Sequence, residues 1–196
     1  MKGINLSERG NQMDNGASSY RRFLDGDDKG LVDIIRDYKD GLILFLNGFA
    51  DNINVAEELA EDTFVKIGIK KPYFAGKSSF KTWLYAIGRN VAINKIKKYS
   101  KIEQVPIDES SEEADIMSLE HDYIREERKI VIRKAMKNLN NDYRQVLWLI
   151  YFEGLSNKET ASVMGKTIHN IETIVYRARQ SLKSELIKEG FNYENL

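Results

Sequence analysis

Hydrophobic residues recur at helical spacing between the turn signals of this chain, and no segment shows the alternation of a half-buried strand. The first long apolar stripe consists of Leu31, Ile34, Ile35, Tyr38, Leu42, Phe45, Leu46 and Phe49. A second stripe consists of Ala56, Leu59, Ala60, Thr63, Phe64 and Ile67. A third consists of Phe80, Trp83, Leu84, Ile87 and Val91. The pattern predicts an all-α chain.

Capping signals set the expected ends of these helices. Asp27 and Asp28 are suited to begin the first helix. Asn54, followed three residues later by Glu57, resembles a capping box for the second helix. Residues 70–77 contain a proline and a glycine and are predicted to form a loop, after which Ser78 or Ser79 caps the third helix.

Four further helices are predicted in the C-terminal third. The first two are outlined by Ile124, Val131, Ala135 and Leu139, and by Tyr143, Val146, Leu147, Ile150 and Tyr151. Ser156 and Glu159 form a capping box for a short helix that ends at Gly165, and Thr167 caps the last helix. The inward face of this last helix comprises Ile171, Ile174, Val175, Ala178 and Leu182. Two short amphipathic helices around a glycine-containing turn are typical of a helix-turn-helix.

The composition is poor in the cysteine and histidine side chains that many enzymes use for catalysis or metal binding. The 196 residues include no cysteine and only two histidines, His121 and His169, which are isolated from each other. Disulfides, thiolate nucleophiles, Cys/His zinc sites and a histidine-based triad are therefore excluded, and no cofactor or metal is implied. No stretch reaches the roughly 18 apolar residues of a membrane span, and residues 1–20 are polar. A soluble, cytoplasmic protein without membrane insertion is expected.

The formal net charge of zero conceals two oppositely charged segments. Residues 63–102 contain no acid but ten basic residues, which are Lys66, Lys70, Lys71, Lys77, Lys81, Arg89, Lys95, Lys97, Lys98 and Lys101. Residues 103–127 contain ten acids and a single arginine. Because residues 104–118 offer little apolar material, they are predicted to be a flexible acidic linker between two small helical domains.

Two segments have the chemistry of a nucleic-acid interface. In the last helix the outward residues suited to base edges are His169, Asn170, Glu172, Thr173 and Tyr176, with Arg177, Arg179 and Lys183 suited to phosphates. An ordinary helical hairpin with a polar outer face fits the same spacing equally well. In the basic segment, aromatic residues interleave with lysines, as in proteins that hold single strands. For Phe80 a core position is favoured, whereas Trp83 fits either role.

The second helix has an acidic outer face composed of Glu57, Glu58, Glu61 and Asp62. A solvated helix surface accounts for these charges. Its functional alternative is a docking surface for a basic partner helix, because complementary charge steers association.

Four blocks of the sequence together resemble the sigma-70 family, most closely its small, two-domain extracytoplasmic-function (ECF) type. They are AEELAEDTFVKI (56–67), FAGKSSFKTWLYAIGRNVAINKIKK (74–98), DYRQVLWLIYFEGLSNKETASVMG (142–165) and NIETIVYRARQSLK (170–183). The resemblance extends from about Phe23 to Leu186 in the family's order. It implies a sigma factor, without enzymatic activity, that binds core RNA polymerase and directs promoter-specific initiation.

The resemblance also implies partners and their sites. Expected partners are core RNA polymerase, through the clamp helices of its largest subunit and its flap region, promoter DNA, and an anti-sigma factor. The implied polymerase-binding residues are Glu58, Glu61, Asp62 and Phe64. The implied minus-ten DNA-binding residues are Phe74, Lys77, Ser78, Ser79, Lys81, Trp83, Arg89, Asn90 and Lys95. The implied minus-thirty-five residues are Thr167, His169, Asn170, Glu172, Thr173, Tyr176 and Arg177.

The expected domain boundaries follow from the same match. Residues 1–19 are predicted as a disordered tail, 20–102 as sigma region 2, 103–118 as the linker, 119–190 as sigma region 4 and 191–196 as a C-terminal tail. The linker corresponds to the segment that family members thread through the polymerase.

The sequence departs from the family pattern at four positions. Glu61 stands where glutamine is frequent, Gly68 replaces a frequent tryptophan, and Glu172 and Ile174 stand where basic residues are common. These changes imply an altered docking face and an unusual upstream sequence preference.

Two other classes of protein compete with a sigma factor as interpretations of this sequence. One is a conventional helix-turn-helix repressor or activator whose N-terminal domain senses a ligand or dimerises. The other is a polymerase-binding regulator that does not read DNA. Run-off transcription with purified core polymerase is the discriminating experiment, because promoter-dependent initiation only when this chain is added would support the sigma factor alone.

Overall fold

This computed structural model describes residues 15–50, 52–102, 131, 132 and 134–190, with residues 99–102 described by backbone alone. Helices form all the regular structure in this part of the chain. The N-terminal half contains α1 (Asn15–Leu24), α2 (Lys29–Ala50), α3 (Ile53–Lys70) and α4 (Phe80–Ile102). The C-terminal half contains α5 (Asn141–Leu147), a π-helical turn (Trp148–Phe152), α6 (Asn157–Met164) and α7 (Ile168–Lys188). The all-α prediction is confirmed. The acidic linker and His121 lie outside the described residues.

Most predicted caps are present. The Ser79 hydroxyl accepts from the Thr82 amide, the Ser156–Glu159 capping box is complete, Gly165 ends α6 with φ 63°, and the Thr167 hydroxyl accepts from the Asn170 amide. The capping box predicted at Asn54 is wrong, because the side chain of Asn52 accepts from the amides of Asn54 and Val55 instead. Helix α3 therefore begins two residues earlier than its sequence signal.

The prediction of a disordered tail over residues 1–19 is wrong for residues 15–19, which are helical; residues 1–14 lie outside the described part. Gly16, Ser19 and Tyr20 of α1 are buried against the bundle. The Tyr20 hydroxyl donates to the Pro72 carbonyl at 2.7 Å, and burial raises the pKa of this phenol to about 12. The polar composition of α1 hid this helix because Gly16 and Ser19 are among its buried residues, and they add little to an apolar stripe.

An aromatic cluster joins α1 to the start of α4. Phe80 is fully buried, which confirms its core position. The ring of Trp83 lies 5.1 Å from Tyr20, 5.2 Å from Phe74 and 5.3 Å from Phe80, measured between centroids. Such pairs contribute about 0.5–1.5 kcal/mol each beyond the area they bury. The cluster thus fixes the loop after α3 against the first turns of α4.

The C-terminal half has its own buried set, in which α5, α6 and α7 contribute Val146, Leu147, Ala161, Met164, Ile171, Val175 and Ala178. Ile174 and Leu182 are half-buried beside it. The two halves pack against each other through α4 with α6 and α2 with α5, so their buried residues form one continuous cluster. Among the described helices, none has the length and apolar content needed to cross a bilayer.

Replacing Gly30 by alanine is expected to destabilise the N-terminal half. A Cβ at this position would lie 2.2 Å from the Ser19 carbonyl oxygen and 2.7 Å from the Phe23 nitrogen, so α1 and α2 would have to separate. The expected loss is about 1–3 kcal/mol in the free energy of unfolding, measured with urea. Lys29→Ala, on an exposed neighbouring residue, is the control. Equal or higher stability of Gly30→Ala would contradict this close helix crossing, since alanine otherwise favours a helix by about 1 kcal/mol.

Candidate nucleic-acid interface

The loop between α3 and α4 is held at both ends. Lys71 ends α3 in the left-handed conformation, with φ 42°, and its amide donates to the Ile67 carbonyl. Pro72 follows and cannot continue the helix. Further along, Phe74 packs on Phe80 and Trp83, whereas Lys77 is exposed and Ser78 is half-buried. The loop therefore presents Lys77 to solvent beside a rigid aromatic base.

Trp83 combines features of both interpretations allowed by the sequence. Its ring packs within the aromatic cluster, yet it is only partly buried. Part of its surface therefore remains available to a ligand, and its assignment to DNA binding stays a prediction.

The basic side chains of α4 contact different segments of the chain. Lys95 lies 3.2 Å from a Glu58 carboxylate oxygen and 2.9 Å from an Asp62 oxygen, so it pairs with the acidic face of α3. Asn90 is exposed. Lys81 and Arg89, in contrast, contact the C-terminal half of the chain.

The acidic face of α3 lies on the surface. Glu58, Glu61 and Asp62 are all exposed. Phe64, which the sequence grouped with them, is only 7% exposed and packs in the core. It supports this face from beneath and is not available for direct contact with a partner.

Glu153 is the centre of the contact between the two halves. One carboxylate oxygen accepts from the Lys81 ammonium at 3.1 Å, and the other accepts from the Trp148 indole at 3.2 Å. Lys81 also donates to the Glu153 carbonyl at 3.3 Å. Burial raises the pKa of Tyr85, with further contributions from the charge of Glu153 and a hydrogen bond to it. Only 10% of the Glu153 side chain is exposed, so this carboxylate depends on its partners for solvation.

Glu159 makes a second polar bridge between the halves. Besides closing the capping box with Ser156, its carboxylate accepts from the hydroxyls of Ser79 at 3.3 Å and Thr82 at 3.4 Å. Burial alone would raise the pKa of Glu159, but the hydrogen bonds from Ser156, Ser79 and Thr82 outweigh it and hold this pKa below the usual 4.5.

A third bridge joins Arg89 to Gln145 of α5. The Arg89 guanidinium donates to the Gln145 side-chain oxygen at 3.4 Å, and burial lowers the pKa of Arg89, partly offset by the nearby charge of Asp142. Sequence patterns gave no sign of the contacts that Gln145, Glu153 and Glu159 make with α4. Their partners are separated from them by 56 to 80 residues, so no local pattern could reveal them.

The first turns of α7 present the predicted polar face to solvent. His169, Asn170, Glu172, Tyr176 and Arg177 are exposed and Thr173 is half-buried, while Thr167 serves as the N-cap. The opposite side of α7 packs on α5 and α6. The helix thus offers an outward polar surface, and its role in reading a DNA groove stays a prediction.

The chain matches the family model of sigma-70 region 2 over residues 34–102 and that of sigma-70 region 4 over residues 129–182. It is 30% identical over 166 residues to the ECF RNA polymerase sigma factor SigM of Bacillus subtilis, which covers 83% of this chain and 98% of that protein. The chain belongs to the sigma-70 family. This sigma factor is also 28% identical over 160 residues to the RNA polymerase sigma factor YlaC of the same species, covering 81% of the chain and 92% of YlaC.

Two solved structures resemble this sigma factor. The sigma factor RpoE in complex with the anti-sigma factor NepR from Bartonella quintana is 28% identical, with a TM-score of 0.60, covering 80% of this chain and 97% of that one. CnrH in complex with the cytosolic domain of CnrY has a TM-score of 0.60 at 19% identity, covering 89% and 96% respectively, which supports the fold alone. The ECF resemblance is confirmed, and as a family member the protein binds core RNA polymerase and directs initiation at promoters.

The pKa of Glu159 predicts a pH dependence of stability. Because the folded-state pKa lies below 4.5, the stabilisation is present above that pH and is lost as the pH falls through the folded value. Glu159→Gln should therefore reduce stability at neutral pH, by less than about 1 kcal/mol because this half-buried group is still largely screened by solvent. It should also make the loss of stability towards pH 4 smaller. Urea unfolding at both pH values measures this. An equal decline in stability for wild type and Glu159→Gln between the two pH values would contradict the assignment.

Proposed function

We propose that three surfaces of this sigma factor divide its tasks: the acidic face of α3 docks on core polymerase, the loop before α4 with α4 holds the melted minus-ten strand, and α7 reads the minus-thirty-five element. The observation that carries the proposal is that the region 2 match contains a helix with an exposed acidic face, while the region 4 match contains a helix-turn-helix whose second helix has an exposed polar face. Core polymerase and the chromosome share the cytoplasm, so we assign the protein to that compartment. No catalytic step is assigned to it.

Docking rests on charge and helix geometry. Glu58, Glu61 and Asp62 lie within two turns of α3, so they can face a basic partner helix together. Charges of one sign on such a surface increase association rates and restrict the choice of partner. Lys95 neutralises part of this surface through Glu58 and Asp62, which leaves Glu61 as the carboxylate best placed to meet a partner cation.

Holding a melted strand requires offsetting the few kcal/mol that base extrusion costs. Lys77 at the loop and Lys81 and Arg89 on α4 supply positive charge for phosphates, and the hydroxyls of Ser78 and Ser79 supply donors. The aromatic base formed by Phe74 and Trp83 keeps the loop in shape and offers a surface for stacking.

Upstream recognition rests on the outward residues of α7. Asn170 has the side chain that pairs with adenine, Glu172 can accept from the amino group of cytosine, and Arg177 can contact phosphates. RpoE, one of the two solved relatives, is in complex with the anti-sigma factor NepR, and we infer that this chain has an anti-sigma partner of its own.

Reversing the charge of Glu61 is expected to weaken binding to core polymerase. Glu61→Lys places a cation on the exposed face of α3 and should raise the dissociation constant at least about tenfold, or about 1.4 kcal/mol. Fluorescence anisotropy with labelled sigma factor and purified core measures it. Asp40→Lys, the same charge change on an exposed position of α2, is the matched control.

The same preparations are then used in run-off transcription. Core polymerase should initiate at a cognate promoter only with wild type or Asp40→Lys added. Wild-type core affinity for Glu61→Lys would remove the docking assignment, and absence of promoter-dependent transcripts with wild type would remove the proposed function itself.

Two substitutions on α7 should separate base reading from phosphate binding. Glu172→Ala should change which upstream sequences are selected from a randomised pool by the reconstituted holoenzyme. Arg177→Ala should weaken all sequences about equally and reduce the salt dependence. Recovery of the wild-type motif by Glu172→Ala, together with an altered motif for Arg177→Ala, would show that these roles are reversed.

A further inference from the structure

The π-helical turn carries two neighbouring aromatic rings on the surface, and each ring contacts a different kind of side chain. Tyr151 and Phe152 are 54% and 56% exposed. The ring of Phe152 stacks on Trp148, with 4.4 Å between the centroids and 9° between the planes. The Arg179 guanidinium of α7 lies over the ring of Tyr151 instead, with its Cζ 5.5 Å from the centroid. The two rings therefore differ in what they hold despite equal exposure.

The backbone around Tyr151 is tied on both sides by hydrogen bonds that span the turn. The Glu153 amide donates to the Trp148 carbonyl at 3.1 Å. The Leu155 amide donates to the Leu149 carbonyl at 2.9 Å. Turns of this kind are rare and are frequently found at functional sites. The Tyr151 ring is thus presented to α7 from a fixed support.

Arg179 lies on the same face of α7 as Glu172, which is proposed to read a base. The two residues are exposed and lie about two helical turns apart, so their side chains project to the same side. At 1.5 Å per residue, Arg179 is about 10 Å further along the helix axis. The major groove is about 12 Å wide. A helix that places Glu172 at base edges therefore brings Arg179 to the phosphates that border the groove.

Stacking on a ring leaves an arginine able to bind a phosphate. The guanidinium is planar and its N–H donors lie in that plane, so a ring against its face occupies none of them. A paired carboxylate, in contrast, would take two of these donors. In the part of the chain that the structure describes, no carboxylate lies within ion-pair distance of Arg179. Its donors are therefore available to DNA.

The ring also reduces the cost of the phosphate contact. A mobile arginine side chain loses rotamer freedom when it is fixed on a phosphate. Contact with Tyr151 restricts Arg179 before DNA arrives, and pre-organisation of this kind increases affinity. The gain comes from the ring and not from a new contact with the DNA.

We propose that Tyr151 is a positioning residue for upstream DNA, whose ring holds the Arg179 guanidinium in place for a backbone phosphate at the border of the minus-thirty-five element. This inference rests on the proposed function, because it adds a residue to the surface assigned there to the upstream element. Tyr151 acts through Arg179 and does not touch the DNA. Because phosphates carry no sequence information, the pair strengthens binding without changing the preferred motif.

Substitutions at both rings test this role in the reconstituted holoenzyme. The probe is a fluorescent promoter duplex that carries an upstream sequence selected by wild type, and anisotropy gives its dissociation constant. Tyr151→Leu removes the ring and should weaken binding about threefold, the size expected of an exposed cation–π contact. Tyr151→Phe keeps the ring and should bind as wild type does. Phe152→Leu, on the equally exposed neighbour, is the matched control and should also bind as wild type does.

A double-mutant cycle separates positioning from a general structural effect. Arg179→Gln removes the phosphate contact, so the logarithm of the affinity should fall less steeply with the logarithm of salt concentration, by about one in slope. Tyr151→Leu alone should leave this slope unchanged, because Arg179 still reaches the phosphate in the complex. Added to Arg179→Gln, it should cause no further loss of affinity.

Several outcomes would overturn the proposal. An equal loss from Tyr151→Leu with and without Arg179→Gln would show that the tyrosine acts independently of the arginine. Wild-type affinity for Tyr151→Leu, a loss for Tyr151→Phe, or the same loss for Phe152→Leu would remove the role of the ring. An unchanged salt slope for Arg179→Gln would remove the phosphate contact.

Arg179→Lys gives an independent test should Tyr151→Leu fold poorly. It keeps the charge and loses the flat face that stacks on the ring, so binding should weaken while the salt slope stays the same. Wild-type affinity for this variant would contradict the proposal. Run-off transcription with wild type keeps the two conclusions apart. Normal initiation without an effect at Tyr151 overturns this inference alone, whereas absence of promoter-dependent initiation removes the proposed function itself.

Discussion

The first turns of α4 are packed from two sides, and the arrangement of the whole chain depends on that shared position. Phe80 and Leu84 are buried without residual exposure, and the aromatic cluster with Tyr20 fixes α1 and the preceding loop to them. On another side Lys81 and Tyr85 meet Glu153 of the C-terminal half. One short stretch of helix thus carries both the stability of the N-terminal half and its contact with the other half.

Local features of the fold could be predicted from the sequence because their physical causes are local. The Ser156–Glu159 box and the Thr167 cap join groups three residues apart, so the residue types alone identify them. The outward face of α7 follows from its 3.6-residue period. The error at Asn54 has the same origin: Asn52 competes for the same free amides, and the sequence pattern does not determine which asparagine adopts the extended backbone of the cap.

Contacts between distant segments could not be predicted in this way. The bridges from Glu153 and Glu159 to α4 depend on how two helical units pack, and their participants are separated by 72 to 80 residues. The family resemblance suggested candidate surfaces but carried no information on how the two helical halves pack against each other.

Helix α1 also determines the smallest fragment that can behave as an independent unit. The region 2 match begins at residue 34, beyond the whole of α1. A fragment cut at that boundary would lose Gly16, whose Cα lies so close to Phe80 that a Cβ would approach the ring to 2.4 Å, together with Tyr20 and Phe23. The aromatic rings left behind would form an exposed apolar patch, which favours self-association. Dissection of this protein into domains therefore has to begin at or before Asn15.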